Sequence, residues 1–212
     1  MSQSPSASSL FSDHTIESPD HAVESPDHAV EFPDHIIESA PPGARRLMTA
    51  TAQHLGYLPA ATARMAASPH LLDGFMKLNA IFESSTLDPL AREALVMTIA
   101  TRNGCHVCVA MHTARLTALG AGSDVIAGLR TAGRPEAEPL ADERLEAIRV
   151  FTLRVLDTTG DVGDEALRAF LTSGYTSQNA LEIVLGIGTY TMSTLANRLT
   201  RAPLDDQLSA FA

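Results

Sequence analysis

The sequence contains no tryptophan, and aromatic residues make up only 5% of its 212 residues. Its two cysteines are too few for a disulfide-stabilised scaffold. No run of eighteen apolar residues is present, so we expect no transmembrane helix. Residues 1–12 carry neither a basic residue nor the apolar stretch of a secretory signal. We therefore expect a soluble cytoplasmic protein that uses its two cysteines for redox chemistry or metal binding.

Basic residues are absent from the first 44 positions, whereas eight acidic residues lie there. The remainder holds 17 acidic and 15 basic residues, so most of the formal net charge of −10 belongs to the N-terminal segment. This excess of negative charge argues against a nucleic-acid-binding protein, because such proteins neutralise phosphates with basic side chains. We also expect no membrane partner.

The acidic segment is a tandem repeat of seven residues, which runs from Asp13 to Ala40 and reads DHTIESP, DHAVESP, DHAVEFP and DHIIESA. Three copies end in proline, which excludes a continuous helix because an interior proline costs about 3 kcal/mol. Each copy offers only two apolar residues for burial, too few to offset the loss of chain entropy. We predict that residues 1–40 form a disordered acidic tail and that residues 41–212 form one domain. A weak metal site built from the Asp-His pairs is the alternative for the tail.

The domain is rich in Ala and Leu, with apolar spacings of three and four and no alternating strand pattern. Caps and helix breakers delimit the predicted helices. They span residues 44–57, 69–83, 89–101, 105–119, 124–129, 141–158, 164–172 and 177–200. The prediction is an all-α bundle of seven or eight helices.

The residues that carry chemistry form the motif Cys-x-x-Cys-x-x-x-His at Cys105, Cys108 and His112. On a helix these three side chains project from one face, and His112 lies one turn beyond Cys108. The free N–H groups at a helix N-terminus favour a thiolate, so we expect a lowered thiol pKa. A cysteine pair at this spacing can close a redox-active disulfide while an imidazole moves protons. Proximity to the N-terminus favours Cys105 as the thiolate, whereas the histidine spacing favours Cys108.

One acidic residue, Glu93, lies on the largely apolar helix that precedes the motif. A buried carboxylate needs a partner, but the sequence does not place Glu93 near His112. Tyr190 and Asn197 share one face of the last long helix and are further candidates to approach this site.

Glu93, followed after eleven residues by the cysteine–histidine motif, resembles the AhpD-like alkylhydroperoxidase and carboxymuconolactone decarboxylase superfamily. The flanking stretches REALVMTIATRNGCHVC and ARLTALG, and the later GYTSQNALEIVLGIGTYTMSTLANRL, are also similar. The resemblance covers about residues 47–205 and excludes the repeats. One departure is Val107 directly before the second cysteine, where related hydroperoxidases often carry His or Tyr; the histidine stands at His106 instead.

The resemblance implies an AhpD-like helical bundle with antioxidant, thiol-dependent peroxidase activity towards alkyl hydroperoxides. Cys108 would attack the peroxide, Cys105 would resolve the sulfenate as a disulfide, and Glu93 with His112 would relay the proton. No bound cofactor is implied. An external dithiol such as dihydrolipoamide, or a lipoyl carrier protein, would act as the reductant, and the subunits would assemble as a homo-oligomer, either a trimer or a hexamer.

Four alternatives stay open at this stage. The first is a carboxymuconolactone decarboxylase-like lyase, which does not depend on a cysteine pair. The second is a disulfide reductase or redox sensor built on the same cysteines. The third is a zinc site, for which the motif supplies three ligands where structural zinc usually takes four. The fourth is an oligomeric helical domain in which the cysteines only fill the core.

Overall fold

The structure is a computed structural model that describes residues 32–212, and within this range it contains helices and no β-strand. The predicted all-α bundle is confirmed. Its α-helices are α1 (Pro42–Leu55), α2 (Ala60–Met65), α3 (Pro69–Glu83), α4 (Pro89–Arg102), α5 (His106–Ala118), α6 (Ser123–Leu129), α7 (Glu143–Asp157), α8 (Gly163–Thr172) and α9 (Ser177–Leu199). A C-terminal 3-10 helix follows at Asp206–Phe211. None of these helices is long and apolar enough to cross a membrane.

Capping residues explain why most predicted boundaries lie within a few residues of the observed ones. The side chains of Ser68, Asp88 and Asp142 accept hydrogen bonds from backbone N–H groups in the first turns of α3, α4 and α7. Thr176 and Asn179 form a reciprocal capping box at the start of α9. Such side chains satisfy N–H groups that have no partner inside the helix.

The end of the first helix and two short helices differ from the sequence-based prediction. The first helix ends at Leu55 rather than near residue 57, because Gly56 adopts a left-handed conformation with φ 81° and closes it. The six-residue helix α2 and the C-terminal 3-10 helix were not predicted. Both are too short to show a helical repeat of apolar residues.

Helix α4 lies at the centre of the bundle and packs against α5, α7 and α9. Leu95, Met97 and Ile99 on this helix are fully buried. Helix α9 approaches closely at Gly186, where an added Cβ would lie 2.7 Å from Phe82 Cε2 and 2.8 Å from Leu95 Cδ2. This approach matters for the candidate site, because it brings the second half of α9 alongside the helices that carry the motif.

Residues 1–31, which contain most of the first three repeats, lie outside the described residues. Their predicted disorder and the alternative of a metal-binding tail therefore stay predictions. The last nine residues of the predicted tail are described, and they contact the helical domain. Asp34 forms an ion pair with Arg64 on α2, Ala40 is buried, and Ile37 packs against the cluster around Met48.

Candidate active site

A tight turn between α4 and α5 brings the predicted site residues together. Gly104 has a φ of 62°, in the left-handed region, and the backbone N–H of Cys105 donates to the carbonyl of Ala100 at 2.9 Å. A Cβ on Gly104 would also lie 2.6 Å from Nη1 of Arg198, the nitrogen that donates to the Gly104 carbonyl at 2.8 Å. The chain therefore reverses here, and α5 runs back along α4.

This reversal places Glu93 against His112. Their side chains are 2% and 5% exposed, and His112 Nδ1 lies 2.6 Å from Glu93 Oε2. Burial raises the pKa of Glu93, but the charge of His112 and its hydrogen bond, together with Arg115 and Arg92, outweigh this effect and hold the pKa below its usual value. An ionised Glu93 fixes the proton of His112 on Nδ1, and Nε2 is then the nitrogen left to exchange a proton.

The Glu93 carboxylate has a second partner that sequence reasoning missed. Nε of Arg115 lies 3.1 Å from Glu93 Oε1, and Nη2 of the same residue donates to Glu83 at 2.7 Å. Arg92 lies 3.6 Å from the other oxygen of Glu83. The available signal was spacing, because Arg115 follows His112 by three residues and so shares its helix face. These ion pairs connect the buried carboxylate to side chains that reach solvent.

The two cysteines form a buried dithiol at the N-terminus of α5. Their Sγ atoms lie 3.2 Å apart, neither is in a disulfide, and the residues are 1% and 4% exposed. The hydrogen bond between the sulfurs lowers the pKa of Cys105 to about 6, against the effect of burial and with help from the backbone N–H of Cys108, the Asn197 carboxamide and the charge of His106. The same hydrogen bond between the two sulfurs, together with burial, raises the pKa of Cys108 above its ordinary value. The sulfur–sulfur hydrogen bond therefore favours a single negative charge on the pair, held by Cys105.

Helix α9 supplies further polar contacts to the sulfurs, from Asn197 and, for Cys108, also from Ser193. Nδ2 of Asn197 lies 3.3 Å from Cys108 Sγ and 3.8 Å from Cys105 Sγ. The Tyr190 ring packs edge-on against the His112 ring at 5.4 Å between centroids, and its hydroxyl donates to Asn79 at 2.9 Å. Tyr190 and Asn197, which share one face of α9, thus both approach the cysteine–histidine motif.

Small apolar side chains enclose the dithiol within the single chain. Those packed with the cysteines are Ala61, Ala100, Val107, Val109 and Ala202. His106 and Val107 follow Cys105 in the first turn of α5, and His106 is exposed whereas Val107 is buried. Among residues 32–212, no group of three or more His, Cys, Asp or Glu side chains is arranged to hold a metal ion.

Together these residues define an all-helical protein in which a buried dithiol lies beside a carboxylate–imidazole pair. The sequence model of the carboxymuconolactone decarboxylase family matches residues 69–147, a span that contains Glu93, both cysteines and His112. This match spans 79 of the 212 residues and supports the predicted resemblance to the AhpD-like and carboxymuconolactone decarboxylase superfamily. No curated protein sequence matches the chain.

Solved structures with the same fold come from several proteins. A peroxidase-related protein from Ralstonia eutropha JMP134, described as an alkylhydroperoxidase AhpD core, has a TM-score of 0.72 at 19% identity over 84% of this chain and 93% of its own. A peroxidase-related protein from Silicibacter sp. TM1040 has a TM-score of 0.70 at 17% identity, with coverage of 85% and 93%. The debrominase Bmp8 has a TM-score of 0.62 at 17% identity, with coverage of 80% and 90%. At these identities the likeness establishes the fold. Fold and family together support an antioxidant or carboxymuconolactone decarboxylase-like function in general terms.

Proposed function

We propose that the chain is a thiol-dependent peroxidase that reduces alkyl hydroperoxides through Cys105 and Cys108. The observation that supports this most directly is the pair of free sulfurs 3.2 Å apart, in the same buried site as a carboxylate–imidazole contact of 2.6 Å. A dithiol at this distance can become a disulfide without rearrangement of the helix, and so can deliver two electrons. The ion pair supplies a proton donor and acceptor where water is excluded.

Each step of the proposed cycle balances. The Cys108 thiolate bonds to the distal oxygen of R–O–OH, the O–O bond breaks, and the alkoxide leaves as R–OH with a proton from His112. Cys108 is then a sulfenic acid. Cys105 attacks its sulfur, water leaves and a disulfide forms, so that the two sulfurs have together lost two electrons.

The order of the cysteines rests on one contact of Cys108 and on its spacing from His112. Asn197 lies nearer to Cys108 than to Cys105, and His112 is one helical turn away from Cys108. The resting charge lies on Cys105. We therefore propose that a proton shift along the sulfur–sulfur hydrogen bond transfers the charge to Cys108 before attack. The histidine of this chain stands at His106, two residues before Cys108, and its charge lowers the pKa of Cys105.

An external dithiol of the dihydrolipoamide class, free or on a lipoyl carrier protein, would reduce the disulfide, and we propose no bound cofactor. We also propose a homo-oligomer, either a trimer or a hexamer. Large apolar side chains on one face of α9 are exposed in the single chain, which supports self-association. They are Leu181, Val184, Leu195 and Leu199.

Consumption of cumene hydroperoxide with dihydrolipoamide tests the proposal. We expect turnover by the wild type and its loss in Cys105→Ser, Cys108→Ser and His112→Ala. The exposed His54 offers a matched control, and His54→Ala should retain full activity. A dimedone-type reagent should trap a sulfenate on Cys108 in the Cys105→Ser variant.

Other outcomes identify competing functions. A sulfenate found only on Cys105, in the Cys108→Ser variant, would reverse the order of the cysteines. Cycling between dithiol and disulfide with no peroxide turnover would indicate a disulfide reductase or redox sensor.

A second candidate is a carboxymuconolactone decarboxylase-like lyase, which the family match over residues 69–147 favours. A lyase does not need the dithiol, so activity on a carboxylated lactone should survive both serine substitutions. The fold shared with the debrominase Bmp8 gives brominated pyrroles as a further substrate class to offer in the same assay.

A further inference from the structure

The carboxamide of Asn197 is satisfied on one side only. Its Nδ2 contacts both sulfurs, whereas its Oδ1 is buried and has no hydrogen-bond partner. The residue is 5% exposed. Of the buried side-chain acceptors without a partner in residues 32–212, this is the one that belongs to a residue in contact with the dithiol. Buried carbonyl oxygens are almost always paired in folded proteins, so an unpaired one beside a reactive group indicates a missing donor.

The sulfurs are not that donor, because the hydrogen bond between them already uses the proton of the pair. Rotating the carboxamide would place Oδ1 against the thiolate and remove the N–H contact that lowers the pKa of both cysteines. The charge on the sulfurs therefore fixes the orientation of the group, with its amide nitrogen on the thiolate and its oxygen directed elsewhere. The two atoms share one carbon, so a donor bound at Oδ1 on the side of the N–H that contacts the sulfur would lie beside that sulfur.

We propose that Asn197 is a catalytic residue that binds the O–H group of the hydroperoxide through Oδ1 while Nδ2 holds the attacking sulfur. The inference rests on the proposed peroxidase function. The distal oxygen of R–O–OH is the atom that Cys108 attacks, and it is also the atom that bears the hydrogen. One carboxamide thus aligns nucleophile and electrophile. The substrate class that fits has a free –OOH group, which dialkyl peroxides lack.

Two variants separate the two ends of the carboxamide. Asn197→Leu removes both the donor and the acceptor with little change of volume, and Asn197→Asp keeps an acceptor oxygen but loses the N–H donor. Each is compared with the wild type in the reaction with cumene hydroperoxide and in the reaction with methyl methanethiosulfonate. The second reagent has no hydrogen-bond donor, so its rate reports the thiolate alone. Thermal melts show that each variant is folded.

At a pH where the reacting thiol is fully ionised, Asn197→Leu should slow the peroxide reaction about tenfold relative to the thiosulfonate reaction, the loss expected for one hydrogen bond to a reacting atom. Asn197→Asp should keep the wild-type ratio of the two rates. In both variants the pH of half-maximal thiosulfonate reaction should lie above the wild-type value, which we expect near 6.

Equal losses in both reactions would overturn the substrate contact and leave Asn197 with an effect on the sulfur only. Unchanged rates and an unchanged pH profile would overturn the role of Asn197 altogether. If the wild type does not reduce hydroperoxides, the proposed function fails instead. The shift of the thiosulfonate profile then still tests the contact of Nδ2 with the sulfurs.

Discussion

The α4–α5 hairpin and the α7–α8 pair bury different kinds of side chain in the same bundle. In the hairpin, Glu93 and His112 are buried against each other, and two buried cysteines precede His112 at the start of α5. Between α7 and α8 the buried groups are aromatic: the ring of Phe170 stacks on Phe151 at 4.3 Å and on Tyr175 at 4.8 Å. Burying charged groups is costly unless they are paired, whereas stacked rings stabilise directly. The comparison indicates that the α7–α8 pair stabilises the domain, whereas the hairpin buries the groups that the proposed peroxidase reaction requires.

Cleft volume does not coincide with the candidate site. A cleft of about 550 Å³ lies against α7 and α8 and is bordered by Arg144, Ala169 and Thr172. None of the predicted site residues lines it. The two cysteines are instead packed under small side chains. The candidate site is therefore identified by its paired ionisable groups rather than by a cavity.

The largest expected effect is on the chemistry of the hairpin, in Glu93→Gln. The amide keeps the shape of the carboxylate but loses the charge that fixes the His112 proton on Nδ1. We expect hydroperoxide reduction to fall about a hundredfold or more, in the range of lost acid–base catalysis. Steady-state kinetics with cumene hydroperoxide measures this.

Glu83→Gln is the matched control for that change, because Glu83 contacts Arg115 and has no contact with His112 in the ion-pair chain. Its activity should stay within about threefold of the wild type, since the loss of a half-exposed ion pair is worth little. Equal losses in the two variants would show that the whole chain of ion pairs acts as one unit, and would contradict a special role for Glu93.

The corresponding change in α7–α8 is Phe170→Ala. Removing a buried ring from the middle of a stack should lower the free energy of unfolding by about 3–5 kcal/mol. For a domain of this size that corresponds to a drop in Tm on the order of 10 °C. Activity per folded molecule should be unchanged below the transition, because Phe170 makes none of the ring contacts of the site.

Calorimetry together with kinetics at a low temperature tests this separation. Val150→Ala is the control, since Val150 is half exposed on α7 and should cost less than about 1 kcal/mol. A loss of activity in Phe170→Ala at temperatures where the protein is folded would contradict the division of labour between the two regions.

The sequence predicted the parts of this comparison that depend on local spacing. The face shared by Cys105, Cys108 and His112 follows from helical geometry, and so does the face shared by Tyr190 and Asn197. Capping residues gave the helix boundaries. These features require only that a segment is helical, which its own residues determine.

Contacts between helices could not be predicted in the same way. The partner of Glu93 depends on how the chain reverses at Gly104, and a single positive φ decides which residues of α4 and α5 meet. The contact of Asn197 with the sulfurs depends on the approach of α9 at Gly186, some distance along the chain. Such contacts are set by packing of the whole core, so local patterns identified the candidates but not their partners.

The smallest expected effect on stability concerns the N-cap residue directly before α5, because the two regions differ in their helix caps. The N-cap of α7 is Asp142, whose carboxylate accepts from two backbone N–H groups, whereas the N-cap of α5 is Cys105, which makes no capping hydrogen bond. Serine is a good N-cap. We therefore expect Cys105→Ser to raise the free energy of unfolding by up to about 1 kcal/mol while it abolishes disulfide formation. Asp142→Ala should lower stability by about 1 kcal/mol and leave activity intact. Chemical denaturation of both variants under reducing conditions measures the difference. If Cys105→Ser were instead destabilising, packing of the Cys105 sulfur would stabilise the protein more than a serine hydroxyl stabilises the helix N-terminus. Cys105 would then serve both stability and the proposed chemistry, and the helix N-termini of the two regions would not differ in this respect.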